Sequence, residues 1–176
     1  DSVSVFLDIG ANIGFYTIAV STHIKRLNSS GKVHAFEPFA ANHKRLQENI
    51  ILNQLQNIYH SHEIALSDKT GQGAIVLRDD FAHGAETGNA SIPINDAFDS
   101  GFNKTTIQIA ELDKIWPGLE PSERRISFIK LDIEGHEDFF LKGASVTLSI
   151  HRPIILMEVN KPFYIARSIS LDDALL

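Results

Sequence analysis

The chain contains no cysteine among its 176 residues. This absence excludes disulfide bonds, thiolate metal sites and a cysteine nucleophile. It does not determine the cellular compartment.

Long apolar runs and clusters of basic residues are also missing. Apolar residues make up 43% of the chain, yet no run approaches the roughly 20 residues that a membrane-spanning helix needs. The 16 Lys and Arg residues are scattered through a chain of net charge −6, so no basic surface is predicted to neutralise a nucleic-acid backbone. We expect neither a membrane nor a nucleic acid as a partner.

The sequence has no initiator methionine, and no basic segment followed by an apolar one marks a signal peptide. It starts almost inside a strand and stops in a helical turn. A length of 176 residues suits one domain. We therefore expect a single domain over residues 1–176 that is trimmed at one or both ends.

The first half of the chain alternates strand-like and helix-like segments. Apolar runs predict buried strands at 3–9 and 33–37, and apolar residues at helical spacing predict helices at 13–27 and 40–55. This β-α-β-α order indicates a mostly parallel sheet with helices on both faces, because each crossover helix buries its apolar side against the sheet.

The second half continues this pattern around a loop-rich insert. Further strands are predicted at 57–66, 105–112, 126–132 and 153–159. Residues 71–77 are predicted to form one arm of a hairpin, and a helix is predicted at 137–142. The polar stretch 78–103 is predicted to be a loop, with its part 84–94 lying over a binding site.

A turn of sequence GANIG, residues 10–14, connects the first strand to the first helix. In open parallel sheets, ligands bind at the carboxyl ends of the strands, where this turn lies. Glycine permits positive φ and close approach of a ligand, and a helix start attracts a negative group. We interpret the turn as a site for a carboxylated or phosphorylated ligand; a purely structural turn is the alternative.

Glu37 ends the second predicted strand, roughly 23 residues after Gly14. A carboxylate there can accept both hydroxyl protons of an adenosine ribose, which fits dinucleotides and S-adenosylmethionine. Asn12 stands where a pyrophosphate-binding turn has a glycine, and its side chain suits a methionine amino-carboxylate better. We favour S-adenosylmethionine. The alternative for Glu37 is a carboxylate that only stabilises the helix start.

Four motifs occur along the chain: FLDIGANIGFY at 6–16, AFEP at 35–38, ALSD at 65–68 and IKLDIEGHE at 129–137. In this order they resemble the FkbM family of S-adenosylmethionine-dependent methyltransferases. The resemblance implies an α/β, Rossmann-like (class I) methyltransferase fold. The C-terminal antiparallel hairpin usual in that fold is expected to be missing, because the chain ends soon after the strand at 153–159.

The resemblance also implies which residues bind the cofactor, S-adenosylmethionine. The methionine end would be surrounded by four residues of the first motif: Asp8, Gly10, Asn12 and Gly14. Glu37 would bind the ribose, and Ala65 and Leu66 would lie near the adenine. An alternative for Asp8 is a strand-end acid that ties down the N–H groups of the turn.

Asp132, Glu134 and His136 are the candidate catalytic residues. Known members of the family mostly methylate hydroxyl groups, and an alcohol must lose its proton, so a nearby base helps. In strand geometry Asp132 and Glu134 point the same way, and histidine has a near-neutral pKa. For Glu134 the alternative is a carboxylate that favours the start of the helix.

We assign no metal ligand from the sequence. A divalent ion held by Asp132, Glu134 and Glu158 is an alternative, because oxygen ligands suit such ions. His60 and His62 lie on one predicted strand, but the sequence shows no third partner for them.

The leading hypothesis is O-methylation of a hydroxyl group on a small molecule, sugar or other natural product. Two alternatives stay open: a dinucleotide-binding Rossmann oxidoreductase, which Asn12 argues against, and a non-catalytic domain of the same fold. A cytoplasmic location is expected, because the cofactor is supplied there. The methyl acceptor and the oligomeric state do not follow from the sequence.

Overall fold

Two β-sheets and six helices make up the part of the chain that a computed structural model describes, residues 4–77, 90–91, 93, 99–120 and 124–172. The strands are β1 (Ser4–Ile9), β2 (Lys32–Phe36), β3 (Tyr59–His62), β4 (Ala65–Leu66), β5 (Gly71–Leu77), β6 (Ala90–Ser91), β7 (Asn103–Ala110), β8 (Arg125–Leu131) and β9 (Ile154–Met157). The helices are α1 (Phe15–Arg26), α2 (Ala40–Leu52), α3 (Leu112–Leu119), α4 (Glu137–Gly143), α5 (Ser145–His151) and α6 (Lys161–Ala166).

The central sheet has five parallel strands in the order β3-β2-β1-β8-β9. β1 is its middle strand, and Leu7 pairs with His34 of β2 on one side and with Ile129 of β8 on the other. Because all strands are parallel, the carboxyl ends of β1, β2 and β8 meet at one edge. This arrangement confirms the predicted α/β fold with a parallel central sheet.

Helices cover both faces of the central sheet, because alternate residues of its strands point to opposite sides. On one face Leu7 packs in a cluster with Trp116 of α3 and Phe140 of α4. On the other face Ala35 packs in a cluster with Leu46 of α2. Burial of such side chains, at about 25 cal/mol per Å² of apolar surface, is the main force that joins the helices to the sheet.

The prediction of a single strand at 57–66 is wrong. The structure divides this segment between the central sheet, which contains β3, and the second sheet, which contains β4. β3 ends at His62, opposite Phe36, the last residue of β2. Beyond His62 the strand β2 offers no further residue for pairing. The chain therefore turns away, and β4 pairs with β7, with Ala65 opposite Ile109.

The second sheet has the order β4-β7-β5-β6 and is built mainly from the antiparallel pair of β5 and β7. The predicted hairpin arm 71–77 coincides with β5. The predicted strand 105–112 corresponds to β7, but Leu112 begins α3 instead, since the apolar residues after it recur at helical spacing. Most of the predicted loop 78–103, including most of its part 84–94, lies outside the described residues, but within it the structure has the short strand β6 and the first residue of β7.

The C-terminal part contains two helices that the sequence did not predict. α4 begins where the predicted helix 137–142 begins, but α5 follows it directly. The predicted strand 153–159 contains β9, and the described residues beyond β9 form α6 and no further strand. Among the helices described, none combines the length and the apolar character that a membrane crossing requires.

Helix α6 holds the turn that follows β8. The Tyr164 hydroxyl donates a hydrogen bond of 2.5 Å to Glu137 Oε2, while Glu137 Oε1 accepts the N–H of Gly135. Arg167 donates to the carbonyl of Gly135 and pairs with Asp138, both at 2.8 Å. Glu137 and Asp138 are almost fully buried, so these partners offset the cost of removing two carboxylates from water. The conformation of this turn therefore depends on α6.

The variant Tyr164→Phe tests this dependence, because it removes only the hydroxyl that donates to Glu137. We expect the free energy of unfolding to fall by about 1 to 3 kcal/mol, since a buried carboxylate loses a hydrogen-bond partner. Urea denaturation at pH 7 measures the change. The matched control is Tyr16→Phe, at a ring that is 40% exposed, and its effect should stay within about 0.5 kcal/mol. Equal losses in the two variants would contradict the role of α6.

Candidate active site

A cavity of about 360 Å³ opens at the carboxyl edge of the central sheet, between the turn after β1 and the turn after β8. Its volume lies within the range of small-molecule sites, roughly 300 to 1,000 Å³. Most of the residues predicted from the sequence line it: Gly10, Asn12, Glu37, Ala65, Leu66, Asp132, Glu134 and His136. The two sheets thus bring together residues from four separate sequence motifs.

The turn after β1 packs tightly against the backbone that follows β8. Gly10 has a φ of 75°, and a Cβ at this position would lie 1.9 Å from the carbonyl oxygen of Asp132. Gly10 and Ala11 both donate their N–H groups to the last carbonyl of β2 at 3.0 Å, and the Asn12 N–H donates to Glu37 Oε2 at 2.8 Å. These three amides are used within the protein. The donors that the sequence suggested are those at the start of α1, and their contact with an anionic ligand stays a prediction.

Asp8 and Gly14 lie beneath the turn and do not line the cavity. Asp8 is 1% exposed, and its Oδ2 accepts hydrogen bonds from the N–H and the hydroxyl of Thr17 at 2.9 and 2.6 Å. Its Oδ1 has no hydrogen-bond partner among the described residues, and burial raises its pKa. Asp8 thus fixes the start of α1, not the turn. Contact of Asp8 or Gly14 with a cofactor stays a prediction.

Glu37 is buried at the end of β2 and faces the cavity. Its Oε1 accepts the N–H of Phe39 at 2.9 Å, and its Oε2 accepts the N–H of Asn12. Burial raises the pKa of Glu37 to about 6, because these two bonds only partly offset the loss of water. A carboxylate accepts about four hydrogen bonds, so each oxygen can still bind a ligand hydroxyl. Stabilising the helix start and binding a ribose are therefore compatible roles.

The end of the cavity next to the second sheet is apolar. Ala65 and Leu66 of β4 are buried there, and Ile64, Ile75 and Phe36 complete this wall. The lining of the same cavity also includes the charged groups of Lys130, Asp132 and Glu134. A ligand that combines a flat apolar ring with a charged tail would match this mixed lining.

Lys130 and Tyr16 line the cavity, although no role was predicted for them from the sequence. The Lys130 ammonium lies 3.0 Å from Asp132 Oδ2 and 3.3 Å from the carbonyl oxygen of Gly10. It also lies 5.2 Å from the centroid of the Tyr16 ring. Lys130 is only 7% exposed. Because lysine is rarely buried, a lysine within a predicted buried strand was the sequence feature that could have indicated a role for it. The cavity therefore contains a fixed cation beside Asp132.

Glu134 adopts a left-handed backbone conformation, with a φ of 53°, and Asn12 does the same across the cavity, with a φ of 50°. Such conformations cost about 1 to 3 kcal/mol in residues other than glycine, and they cluster at functional sites. Glu134 Oε2 accepts a hydrogen bond from Asn160 at 3.1 Å. Burial raises the pKa of Glu134, and Asp132 acts in the same direction. A carboxylate with a raised pKa is a stronger base.

His136 is 8% exposed and forms one wall of the cavity. Its Nε2 lies 3.0 Å from the Ser67 hydroxyl, and its ring stacks on Phe139 with 4.3 Å between centroids. Burial lowers the pKa of His136 to about 4, so the ring is neutral at pH 7 and is a weak base. The geometry is better suited to a hydrogen bond that positions a substrate than to proton abstraction.

A second cavity of about 360 Å³ adjoins the first. The two cavities share Glu134 and His136 in their walls. The other walls of the second cavity come from β5 and from side chains that include Lys69, Phe139 and Arg167. Two different ligands would therefore meet at Glu134 and His136.

The family model described as Methyltransferase FkbM domain matches residues 8–171. A solved structure, the methyltransferase FkbM from Methylobacillus flagellatus KT, is similar in fold, with a TM-score of 0.54 and 22% sequence identity. This similarity covers 89% of the present chain and 32% of that chain, so the present chain spans about a third of the relative. A comparison with curated proteins found no match.

The fold is thus that of an α/β methyltransferase, since a solved structure of this class has it. The family match includes all the candidate site residues. The chain belongs to the FkbM methyltransferase family, and the resemblance seen in its sequence motifs is confirmed. An identity of 22% to the solved structure shows the fold alone.

Proposed function

We propose that the protein transfers the methyl group of S-adenosylmethionine to a hydroxyl group of a small molecule or glycan. The observation that supports this most directly is the pair of adjoining cavities with Glu134 and His136 between them. One cavity has the shape and polarity for the cofactor, and the other gives an acceptor access to the same two side chains.

The first cavity fits S-adenosylmethionine better than a dinucleotide. Glu37 would accept the ribose hydroxyls, the apolar wall with Ala65 and Leu66 would hold the adenine, and Lys130 would pair with the carboxylate of the methionine part. A pyrophosphate would need backbone amides of the turn, but those of Gly10 and Ala11 are already bonded to β2. S-adenosylmethionine supplies an activated methyl group when it is bound.

The chain itself must orient the acceptor and receive its proton. Glu134 is the residue best suited to take the proton, because burial raises its pKa and it borders both cavities. His136 is neutral and can donate or accept a hydrogen bond to hold the hydroxyl in line. Asp132 forms an ion pair with Lys130, so its role is to hold the Lys130 ammonium in position.

Calorimetric titration with S-adenosylmethionine, S-adenosylhomocysteine and NAD tests the cofactor. We expect the first two to bind with a stoichiometry of one and NAD not to bind, because the amides of Gly10, Ala11 and Asn12 are bonded within the protein and do not serve a diphosphate. Binding of NAD without binding of S-adenosylmethionine would support the oxidoreductase alternative instead. Absence of binding by all three would contradict both cofactor hypotheses.

The affinity for S-adenosylmethionine should fall as the pH is lowered from 7 to 5. The pKa of Glu37 is raised to about 6, so at pH 5 most of the free protein carries a protonated Glu37 that accepts fewer hydrogen bonds. The apparent affinity then falls about tenfold, in proportion to the ionised fraction. Glu37→Gln should bind about 1 to 3 kcal/mol more weakly at pH 7 and show no decrease between pH 7 and 5. An unchanged pH dependence in this variant would exclude Glu37 as its source.

Glu134→Gln should reduce turnover without weakening the cofactor complex. We expect a loss of about 10² to 10⁴ in kcat on an acceptor found by screening hydroxylated compounds for methyl-donor consumption. The affinity for S-adenosylmethionine should change by less than about threefold, since the variant keeps the shape of the side chain. Glu48→Gln, at an exposed position of α2, is the matched control and should keep full turnover. Equal turnover in both variants would remove Glu134 from the mechanism.

A further inference from the structure

A second group of polar side chains lies away from both cavities, where β2, β3 and the end of α3 meet. His34 of β2 pairs in register with His60 of β3, and both rings stack, with 4.8 Å between centroids. Glu120 directly follows α3 and contacts them from the helical layer. The strand pairing therefore supplies the partner for His60 that the sequence alone did not show.

The three side chains present their ligand atoms to one point. His34 Nε2, His60 Nε2 and Glu120 Oε1 all lie within 4.8 Å of one another. The His34 to Glu120 distance is 2.7 Å and the His60 to Glu120 distance is 4.0 Å. A tetrahedral ion with ligands at about 2.0 to 2.2 Å separates its ligand atoms by about 3.4 Å. The two distances to Glu120 thus need to change by less than about 1 Å, and the separation of the two imidazole nitrogens, at most 4.8 Å, by up to about 1.4 Å. The His60 side chain is 49% exposed and has room to move.

Further side chains hold the ligands in place. His34 Nδ1 lies 3.0 Å from His62 Nε2, so that nitrogen can donate to His62 while Nε2 faces the ion. Arg124 Nε donates to the other oxygen of Glu120 at 2.7 Å, which fixes the carboxylate and leaves Oε1 for the ion. The positive charge of Arg124 repels a bound cation, and the negative charge of the Glu120 carboxylate offsets this repulsion.

We propose that His34, His60 and Glu120 bind a first-row transition-metal ion of the Zn²⁺ type, which ties the edge strand β3 to β2 and to the end of α3. Two imidazoles and one carboxylate suit such ions, whereas Mg²⁺ and Ca²⁺ prefer a full set of oxygen ligands. The fourth position would open to solvent on the side of His60, while His34 and Glu120 are 1% and 5% exposed. This site does not depend on the proposed methyl transfer.

To test this, the whole chain is first freed of metal with a chelator. Zn²⁺ is then titrated into the metal-free protein at pH 7.5, and binding is measured by calorimetry. We expect one Zn²⁺ per chain, no comparable binding of Mg²⁺, and a rise in the thermal unfolding midpoint when Zn²⁺ is present. Co²⁺ in the same site should give the visible absorption bands of a four- or five-coordinate ion. Absence of one-to-one Zn²⁺ binding would overturn the proposal.

His60→Ala is the most informative variant, because His60 is half exposed and its removal keeps the hydrogen bond between His34 and Glu120. We expect Zn²⁺ affinity to fall at least tenfold and the unfolding midpoint of the metal-free protein to stay unchanged. His23→Ala, at an exposed position of α1, is the matched control and should bind Zn²⁺ normally. Retained binding in His60→Ala, or loss of binding in Glu134→Gln instead, would place the ion elsewhere and refute the site.

Discussion

The close approach of two backbone turns at the carboxyl edge of the central sheet is the constraint on which the site depends. Gly10 lies so near the carbonyl of Asp132 that a Cβ would reach 1.9 Å from its oxygen, and the Asp132 N–H donates to Ile9 at 3.1 Å. Lys130 then joins both turns through the Gly10 carbonyl and the Asp132 carboxylate. The distance between the turn after β1 and the turn after β8 is thereby fixed by the main chain, and side-chain rearrangement alone cannot change it.

Three acids, Glu37, Glu134 and Glu137, differ in how many hydrogen bonds they accept from the protein itself. This difference separates acids that hold the fold from acids that can still accept a hydrogen bond from a ligand. Glu137 bonds through both oxygens to a tyrosine and to backbone amides, so it shapes the turn and has little capacity left for a ligand. Glu37 has one amide on each oxygen and retains capacity. Among the described residues, Glu134 accepts a single hydrogen bond, from Asn160, and its pKa is raised. Of these three acids, Glu37 and Glu134 line the cavity, where a substrate can supply further hydrogen bonds.

The parallel sheet and the position of the cavity could be predicted, because short-range patterns determine them: apolar runs give strands, and a glycine turn follows β1. Glu37, Asp132 and Glu134 could be placed at the cavity for the same reason. The division of 57–66 between two sheets could not be predicted, since it depends on where the partner strand β2 ends. Lys130 and the partners of Glu137 were missed because their contacts come from distant segments, and the short helix α6 carries no strong local signal.

The passage of the chain from one sheet to the other just after β3 has a consequence for how this architecture can diversify. β4 and β5 belong to the second sheet, yet Ala65, Leu66 and Ile75 form walls of the cavity whose turns are built on the central sheet. Substitutions at Ala65, Leu66 or Ile75 would therefore change the walls of the cavity while the strand pairing of the central sheet stayed intact. The shape of the cavity can thus vary without a change in the parallel sheet.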